Sequence, residues 1–509
     1  MKSNRKTLVT RALQVFLVLG GVGAPMPSSW AQESHPSDAS EPAGVEKDLG
    51  DFQEPGGLSA KEAARLAMES SNTVAKAMAA QRIAEAASDQ ALVAAMPRLD
   101  LSARYTRLSP INQASLTGGA PSAADIAATQ MLIDGVADPN AQILFNQINQ
   151  QNLAFSSFEF PVLLNQYVLN ARLTFPVSDV FLSLLPAYAA SENFAEAETL
   201  RVESERRSVA LSGTEAFYNY VRARSALLVA ESSVAQVETQ RARIETLVKG
   251  GVLPAVDLTR IDAQLAAARV GVAQARGNVA VAAHMLRTLL HLPEKPNQNP
   301  DEIAVNEDLS RIPASPTSSR ADLIATALAE RVEVQAVRKL AKARRQVASA
   351  RASQMLPHLS LQGNIDYANP NQRIFPQQEE FNMTWDVGAV LSWSPNDFFD
   401  AEAKTRGADA ETLQAQEDLQ SIEDAVALDV TTGVENLNTA LASLEAAEAA
   451  VTAAEETHRI RSQQLTAGAI VASDLIDAEQ DLTKARIQRI DALVAAHVAH
   501  ARLQRALGR

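Results

Sequence analysis

The sequence contains no cysteine among its 509 residues. That absence excludes structural disulfides, cysteine-ligated metal centres, thiol nucleophiles and lipid attachment through a cysteine side chain. Aromatic residues are also scarce, at 5% of the chain, whereas alanine, leucine, glutamine and glutamate are abundant. This composition favours long helices over a large mixed α/β core. Acidic residues outnumber basic ones, 60 to 46, which argues against a general nucleic-acid-binding protein.

Long apolar runs are missing outside the N-terminus. Residues 1–31 have the features of a secretory signal peptide: basic residues, an apolar stretch at 12–24, and small residues around a cleavage site. Pro25 and Pro27 end this stretch, which is too short to span a bilayer, so an N-terminal membrane anchor is the less favoured alternative. No later run reaches 18 apolar residues, which argues against an α-helical membrane protein. We expect residues 32–57 to be a flexible segment.

The remaining sequence contains two related halves. Residues 92–105 and 352–367 both pass from a helical pattern through Met and Pro into strict alternation. Residues 241–269 and 459–486 both pass through a glycine turn and an Asp-Leu pair, and they align if one residue is skipped inside the turn. The predicted boundaries are 58–295 for the first repeat, 296–317 for an inter-repeat linker and 318–509 for the second repeat.

Each repeat contains two segments in which apolar and polar residues alternate, as in β-strands. These segments start near Leu99, Tyr167, Leu359 and Phe381 and approach the ~9–11 residues that a transmembrane strand needs. Aromatic residues concentrate in the same regions, which fits aromatic girdles at the two membrane interfaces. The predicted girdle residues are Tyr105, Tyr167, Phe175, Tyr367, Trp385 and Trp393.

The other segments have apolar residues at near-heptad spacing, which predicts long coiled-coil helices. The stretch from Tyr188 to Val248 would be roughly 90 Å long at 1.5 Å per residue. A simple coiled-coil rod is the alternative, but it explains neither the four amphipathic strands nor the signal peptide.

Four strands per chain limit the possible assemblies. Four strands cannot enclose a conduit, and open sheet edges are not tolerated in lipid. The strands must therefore close with copies of themselves, and two, three or four copies give 8, 12 or 16 strands. Side chains fill the interior of an 8-stranded barrel, so a conduit needs at least three copies.

Taken together, the signal peptide, the twofold repeat, the paired strands and helices, and the Gly-turn-Asp-Leu tips resemble the TolC-type outer-membrane efflux proteins. The resemblance covers residues 58–509. It implies a mainly α fold with membrane β: a trimeric 12-stranded outer-membrane β-barrel continued by a periplasmic α-helical coiled-coil barrel. It also implies a passive exit duct embedded in outer-membrane lipid. The partners would be a periplasmic adaptor and an inner-membrane pump of the RND, ABC or MFS type. Many members carry a lipidated N-terminal cysteine, so this chain resembles the unlipidated branch.

The turns between the long helices carry the most informative residues. Gly251 and Gly468 stand at helix ends, where glycine accepts a positive φ. Asp257 and Asp474 stand where the return helices are expected to start, and an N-cap role is favoured for both on local grounds. By resemblance, Asp474 and Asp477 would form rings of carboxylates at the periplasmic constriction, six in a trimer, and Asp257 is assigned to the same gate.

Apolar residues of the same turns are candidate contacts for the adaptor: Val252, Leu253, Ile470 and Val471. Packing between neighbouring tips is an equally good explanation. Some relatives have a tyrosine and an arginine that help to hold the closed state, at positions that here are Leu465 and Ile470. The resemblance therefore implies a closed state that is held differently or more weakly.

The sequence gives no support for an enzyme or a cofactor site. It contains no GxGxxG, GxxxxGK[ST], HExxH or GxSxG motif. His497 with His500, and His284 with His291, share helix faces, but solvated histidines explain these pairs better than a metal site. A periplasmic adaptor or scaffold protein with coiled-coil hairpins is the alternative function. Residues 109–157 form a long Gly/Ala/Asn/Gln-rich insertion that we expect to be neutral and mobile, although it could also cover the mouth of the barrel or bind surface ligands.

Overall fold

Helices make up most of this chain, and four strands form one sheet. This arrangement confirms the predicted fold class. The structure is a computed structural model that describes residues 54–110, 121–156, 163–293 and 301–509. The expected signal peptide and nearly all of the expected flexible segment at 32–57 lie outside these ranges. Within them, no helix has an apolar stretch long enough to cross a membrane.

The two halves of the chain have the same order of elements: two short helices, two strands, a long helix and a return helix. The first half contains α1 (Ala60–Ser70), α2 (Asn72–Ala94), β1 (Arg98–Arg107), α3 (Ala123–Asp134), α4 (Pro139–Ser156), β2 (Asn165–Phe175), α5 (Leu185–Lys249) and α6 (Ala255–Leu290). The second half contains α7 (Arg320–Glu330), α8 (Val332–Ala352), β3 (His358–Asn369), β4 (Asn382–Ser392), α9 (Pro395–Thr466) and α10 (Ala472–Ala506). Apart from short helical turns at 177–184 and 353–355, only α3 and α4 lack a counterpart among the described residues, so the internal twofold repeat is confirmed.

The four strands form an antiparallel sheet in the order β1-β2-β3-β4, with β1 and β4 at its edges. Cross-strand partners such as Leu101 with Ala171 and Ile365 with Trp385 place the apolar residues of all four strands on one face. That face is exposed to an unusual degree: Leu101 is 74% exposed and Val387 is 75% exposed. An exposed apolar face on a sheet with two free edges is what a segment of a membrane barrel presents as a single chain.

The long helices form because small and apolar residues recur at heptad spacing. In α9 the buried residues from Val426 to Val451 follow steps of four and three residues. With 65 and 72 residues, α5 and α9 are about 98 Å and 108 Å long at 1.5 Å per residue. The shorter helices pack along them, with α1, α2 and α6 against α5, and α7 and α10 against α9. At Gly213 the backbone of α1 comes so close that an added Cβ would lie 2.8 Å from the Ala63 carbonyl oxygen.

Residues 301–319 connect the repeats and pack against the first of them. Val305, which is fully buried, forms a parallel bridge with Leu58. The Tyr220 hydroxyl accepts a hydrogen bond from the Ile303 backbone N–H at 2.8 Å. Ile303 and Leu309 are buried in the same core. This part of the expected linker is therefore a structural strap across α5.

The insertion between β1 and β2 contains two helices, which the sequence analysis did not anticipate. Ser122 and Asp125 form a capping box that starts α3, with the Asp125 N–H donating to Ser122 Oγ at 3.2 Å. Gln130 on α3 donates to Asn146 on α4 at 3.0 Å. Capping and interhelical hydrogen bonds thus compensate for the polar composition of this insertion.

Candidate functional site: the helical tips

Both tips are built by the same turn geometry. After α5, Gly251 has φ +77°, its N–H donates to the Val248 carbonyl at 3.0 Å, and the Val252 N–H donates to the Leu247 carbonyl at 2.9 Å. After α9, Gly468 has φ +69° and the equivalent hydrogen bonds are both 2.9 Å long. These are Schellman motifs, and their positive φ requires glycine. The role predicted for both glycines is confirmed.

The two turns also have the same length. Lys249 and Ala255 bound the first turn, and Thr466 and Ala472 bound the second, so the connecting segments match residue for residue. A constant offset of 217 positions therefore relates the tips (468 − 251 = 217). The expectation that one residue must be skipped inside the turn is wrong.

Asp257 and Asp474 are not N-caps. The N-cap positions belong to Pro254 and Val471, whose extended backbone precedes Ala255 and Ala472. Both aspartates are the third residue of their helix, and the favoured capping assignment is wrong. A carboxylate in the first turn is stabilised by the partial positive charge of the helix N-terminus without capping it, so the local sequence pattern looks the same in either case.

The two tips differ in charge at equivalent positions. Asp257 is 2% exposed, and its Oδ1 lies 3.5 Å from Nη1 of Arg260. With the offset of 217, Asp474 is the residue equivalent to Asp257, and Asp477 is equivalent to Arg260. Asp474 is half-buried and Asp477 is exposed, and neither has an ion-pair partner within the described ranges. The first tip therefore neutralises its carboxylate internally, whereas the second tip presents two carboxylates one helical turn apart.

The apolar tip residues fall into two groups. Leu253 and Ile470 are partly buried and pack against a core formed by both helical hairpins. Val252 and Val471 remain 56% and 51% exposed. Leu465 is fully buried in the core of the tips. Leu253 and Ile470 therefore stabilise the packing of the tips within one chain.

A buried polar cluster lies just beyond this apolar core, and the sequence analysis missed it. The Glu479 side chain is 1% exposed, and its Oε2 lies 2.9 Å from Nε2 of His458. Gln240 lies against both groups, 3.0 Å from His458 and 3.4 Å from Glu479. Gln236, with its amide nitrogen turned toward the carboxylate, donates to Glu479 Oε1 at 2.7 Å. We call these four residues the tip cluster; it joins α5 to α9 and α10.

The internal repeat is the signal that could have revealed the tip cluster. The offset of 217 relates His458 to Arg241 and Glu479 to Asp262. Arg241 and Asp262 form an ion pair across the first hairpin, with side chains 37% and 47% exposed. Each repeat thus places a nitrogen-bearing side chain and an acidic side chain at the same positions. Only the second repeat buries them, because α5 covers that pair.

The strand face opposite the apolar one carries a network of polar side chains. Asn170 donates to Asp366 at 2.7 Å, Arg172 donates to Asn364 at 2.8 Å, and Asn364 donates to Asp386 at 2.9 Å. These bonds run from β2 across β3 to β4. A polar face of this kind suits the interior of a water-filled barrel.

The predicted girdle residues occupy three levels of the apolar face. Tyr105 and Tyr167 are directly paired, with ring centroids 5.0 Å apart, and Tyr367 stacks on Phe381 beside them at 5.1 Å. Phe175 and Trp393 lie at the opposite end of the sheet. Trp385 pairs with Ile365, between these two ends of the sheet.

The histidines of the two pairs lie in different surroundings. His497 lies 3.4 Å from the Tyr218 hydroxyl and 3.3 Å from the Leu309 carbonyl oxygen. His291 ends α6 with a left-handed backbone at φ 50°. Throughout the described ranges, no three potential metal-ligating side chains come together in a group.

One family model and several solved channel structures are similar to this chain. Residues 323–509 match the family model described as outer membrane efflux protein. Three solved channels have the same fold: the outer-membrane channel OprN, the Campylobacter jejuni CmeC outer membrane channel, and the Neisseria gonorrhoeae MtrE outer membrane channel in its open state. No curated protein gives a significant sequence match.

The similarity to these channels extends over nearly the whole chain. OprN is 18% identical with a TM-score of 0.69, and the match covers 90% of this chain and 91% of that one. CmeC is 14% identical with a TM-score of 0.66, and the match covers 93% of this chain and 94% of that one. MtrE is 16% identical with a TM-score of 0.66, and the match covers 88% of each chain. The fold is therefore that of the outer-membrane efflux channels. The match to the family model lies within the second repeat of the chain.

Proposed function

We propose that this protein is the subunit of a homotrimeric duct through which an inner-membrane pump exports its cargo across the outer membrane. The observation that carries the proposal is the four-stranded sheet with one exposed apolar face, one polar face and two free edges. Because each chain contributes an even number of strands, β4 of one copy meets β1 of the next in antiparallel orientation. Three copies then complete a 12-stranded barrel with a polar interior.

The helices supply the rest of the duct. At about 100 Å, α5 and α9 are several times longer than the ~30 Å hydrocarbon core of a bilayer, so they extend the barrel into the periplasm. An adaptor would contact the tips through Val252 and Val471, the apolar residues that stay exposed there. These residues do not distinguish between a pump of the RND, ABC or MFS class. An adaptor or scaffold function gains no support from a sheet with an exposed apolar face.

Asp474 and Asp477 would form the periplasmic constriction of the duct. In a trimer the second tips contribute six carboxylates, and the absence of ion-pair partners in the described structure leaves their charge available to a passing cation. Gating would be a population shift, in which the adaptor binds the open arrangement of tips better than the closed one.

The constriction is tested in a planar bilayer. We expect the trimer to conduct, and we expect trivalent cations added on the periplasmic side to block it, because six clustered carboxylates attract multivalent cations. The double variant D474N/D477N should be blocked less readily, with a half-blocking cation concentration at least tenfold higher. The matched control D491N changes one exposed carboxylate farther along α10 and should leave the block unchanged. Equal block in D474N/D477N and the unsubstituted protein would refute the assignment.

A further inference from the structure

The two helices between β1 and β2 expose apolar side chains that nothing in the fold of a single chain explains. Leu144, Phe145 and Ile148 of α4 are 55%, 48% and 43% exposed and lie within about 100° of one another around the helix axis. On α3, Met131 and Leu132 are 73% and 76% exposed. We call the α4 residues the insertion stripe. An exposed apolar stripe of this kind marks an interaction surface.

The two helices are ordered by their own contacts. The half-buried residues of α4, among them Gln142 and Asn146, face α3, and Ile133 of α3 is 7% exposed. Gln142 donates to the Asp134 carbonyl oxygen at 3.5 Å, which adds to the bond between Gln130 and Asn146. The insertion stripe therefore points away from the packed side of the helical pair.

Charge distinguishes between a lipid surface and a protein as the occupant. Residues 121–156 contain three aspartates, Asp125, Asp134 and Asp138, and no lysine or arginine. Helices that bind a membrane surface usually carry lysine and arginine on their polar face, where these residues meet anionic headgroups. A segment with only acidic charges is repelled by such a surface, so the composition favours a protein partner.

Position identifies that protein as a second copy of this chain. The insertion follows β1, the edge strand that pairs with β4 of the neighbouring copy in the proposed trimer. A 12-stranded barrel with ~4.8 Å strand spacing and ~40° tilt has a radius of about 12 Å, which places equivalent points on neighbouring copies about 21 Å apart. With 18 residues, α4 is about 27 Å long and spans that distance.

We propose that the insertion stripes of the three copies pack against one another at the outer end of the barrel, forming a helical cluster that ties the subunits together. The inference rests on the proposed trimeric duct. It assigns to α3 and α4 a role in assembly, through the burial of apolar side chains that a single chain leaves in water.

The lack of cysteine makes the test direct, because a single introduced thiol is unique in the chain. The variants L144C and I148C, as full mature protein in mild detergent, are treated with a short bis-maleimide. We expect cross-linked dimers from both. Q150C is the matched control: Gln150 is exposed on the same helix, about a third of a turn from Leu144, and should give no cross-link.

The oligomeric mass of each variant, measured before cross-linking, separates the two proposals. A trimer in which L144C and I148C cross-link no better than Q150C overturns the inference and leaves the duct intact. A monomer overturns the duct itself. An environment-sensitive fluorophore on L144C tests lipid as the occupant. Burial of the probe only after addition of anionic lipid vesicles would overturn the inference, and burial already in lipid-free detergent supports it.

Discussion

At the scale of single residues, the junction between the strap and α10 contains the best-defined titratable group. His497 lies against Tyr218 on α5 and stacks on its ring at 5.1 Å, and it faces Glu307 and Asp308 of the strap and His500 on its own helix. Burial lowers the pKa of His497 below its usual 6.5, although the Leu309 carbonyl and the two carboxylates act in the opposite direction. Burial also raises the pKa of Tyr218, so its hydroxyl stays protonated at neutral pH.

The lowered pKa makes a prediction for stability against pH. The unfolded chain binds a proton to this imidazole more readily than the folded chain does, so protonation favours unfolding. The contribution is fully present above pH ~6.5 and is lost as the pH falls from there toward the lower folded pKa. We expect the apparent melting temperature of the trimer to fall across this window, and H497Q to weaken the dependence. The control H284Q, which changes an exposed histidine of α6, should leave this pH dependence unchanged. An equal effect of both substitutions would contradict the account.

Residue roles were predictable where geometry alone decides them. Gly251 and Gly468 were assigned correctly, because a Schellman turn requires a positive φ that few other residues adopt. The caps were assigned wrongly, because aspartate is favourable both at the N-cap and at the third helical position. The tip cluster was missed because nothing local distinguishes buried Glu479 from exposed Asp262; the difference comes from Gln236 and Gln240 of α5, which pack against Glu479.

At the scale of elements, the tip cluster links three helices. Glu479 is nearly inaccessible, and His458, Gln236 and Gln240 surround its carboxylate. Such a buried charge is costly unless its partners stay in place. Any movement that separates α5 from α9 and α10 at the tips would have to break this cluster. We therefore expect the tip cluster to hold α5, α9 and α10 together at the tips.

Substitution of Glu479 tests this role. E479A leaves His458 and Gln240 without a hydrogen-bond partner and should destabilise the tip by about 1–3 kcal/mol, the cost of leaving buried polar groups unsatisfied. Backbone amides near Leu465 and Leu475, which lie in the adjacent core, should then exchange hydrogen faster. D262A removes the equivalent exposed carboxylate of the first repeat and should cost about 1 kcal/mol or less. Similar rates of amide hydrogen exchange in E479A and D262A would show that the buried His458–Glu479 pair does not stabilise the tips.

The elements themselves were predicted with uneven success. All four strands and the long helices lie where alternation and heptad spacing placed them, because both patterns record directly which side chains face a neighbour. The helices of the insertion were not predicted. Their apolar residues do not follow one buried stripe, and their stability depends on a capping box and on amide hydrogen bonds that periodicity does not register.

At the scale of the whole molecule, the sheet is the element whose edges a single chain leaves unpaired. Its polar network, its apolar face and its two free edges make sense together only if copies complete one another. The long helices, in contrast, are already packed in pairs within one chain. The account therefore places the assembly of the duct at the strand edges, with the insertion stripes and the tips as additional contacts.

The most direct test is the subunit count of the mature protein, measured by native mass spectrometry from mild detergent. The account predicts three copies, which together supply the 12 strands of a conducting barrel. A single copy with its apolar strand face covered only by detergent would contradict it. A dimer would also contradict it, since eight strands enclose only their own side chains.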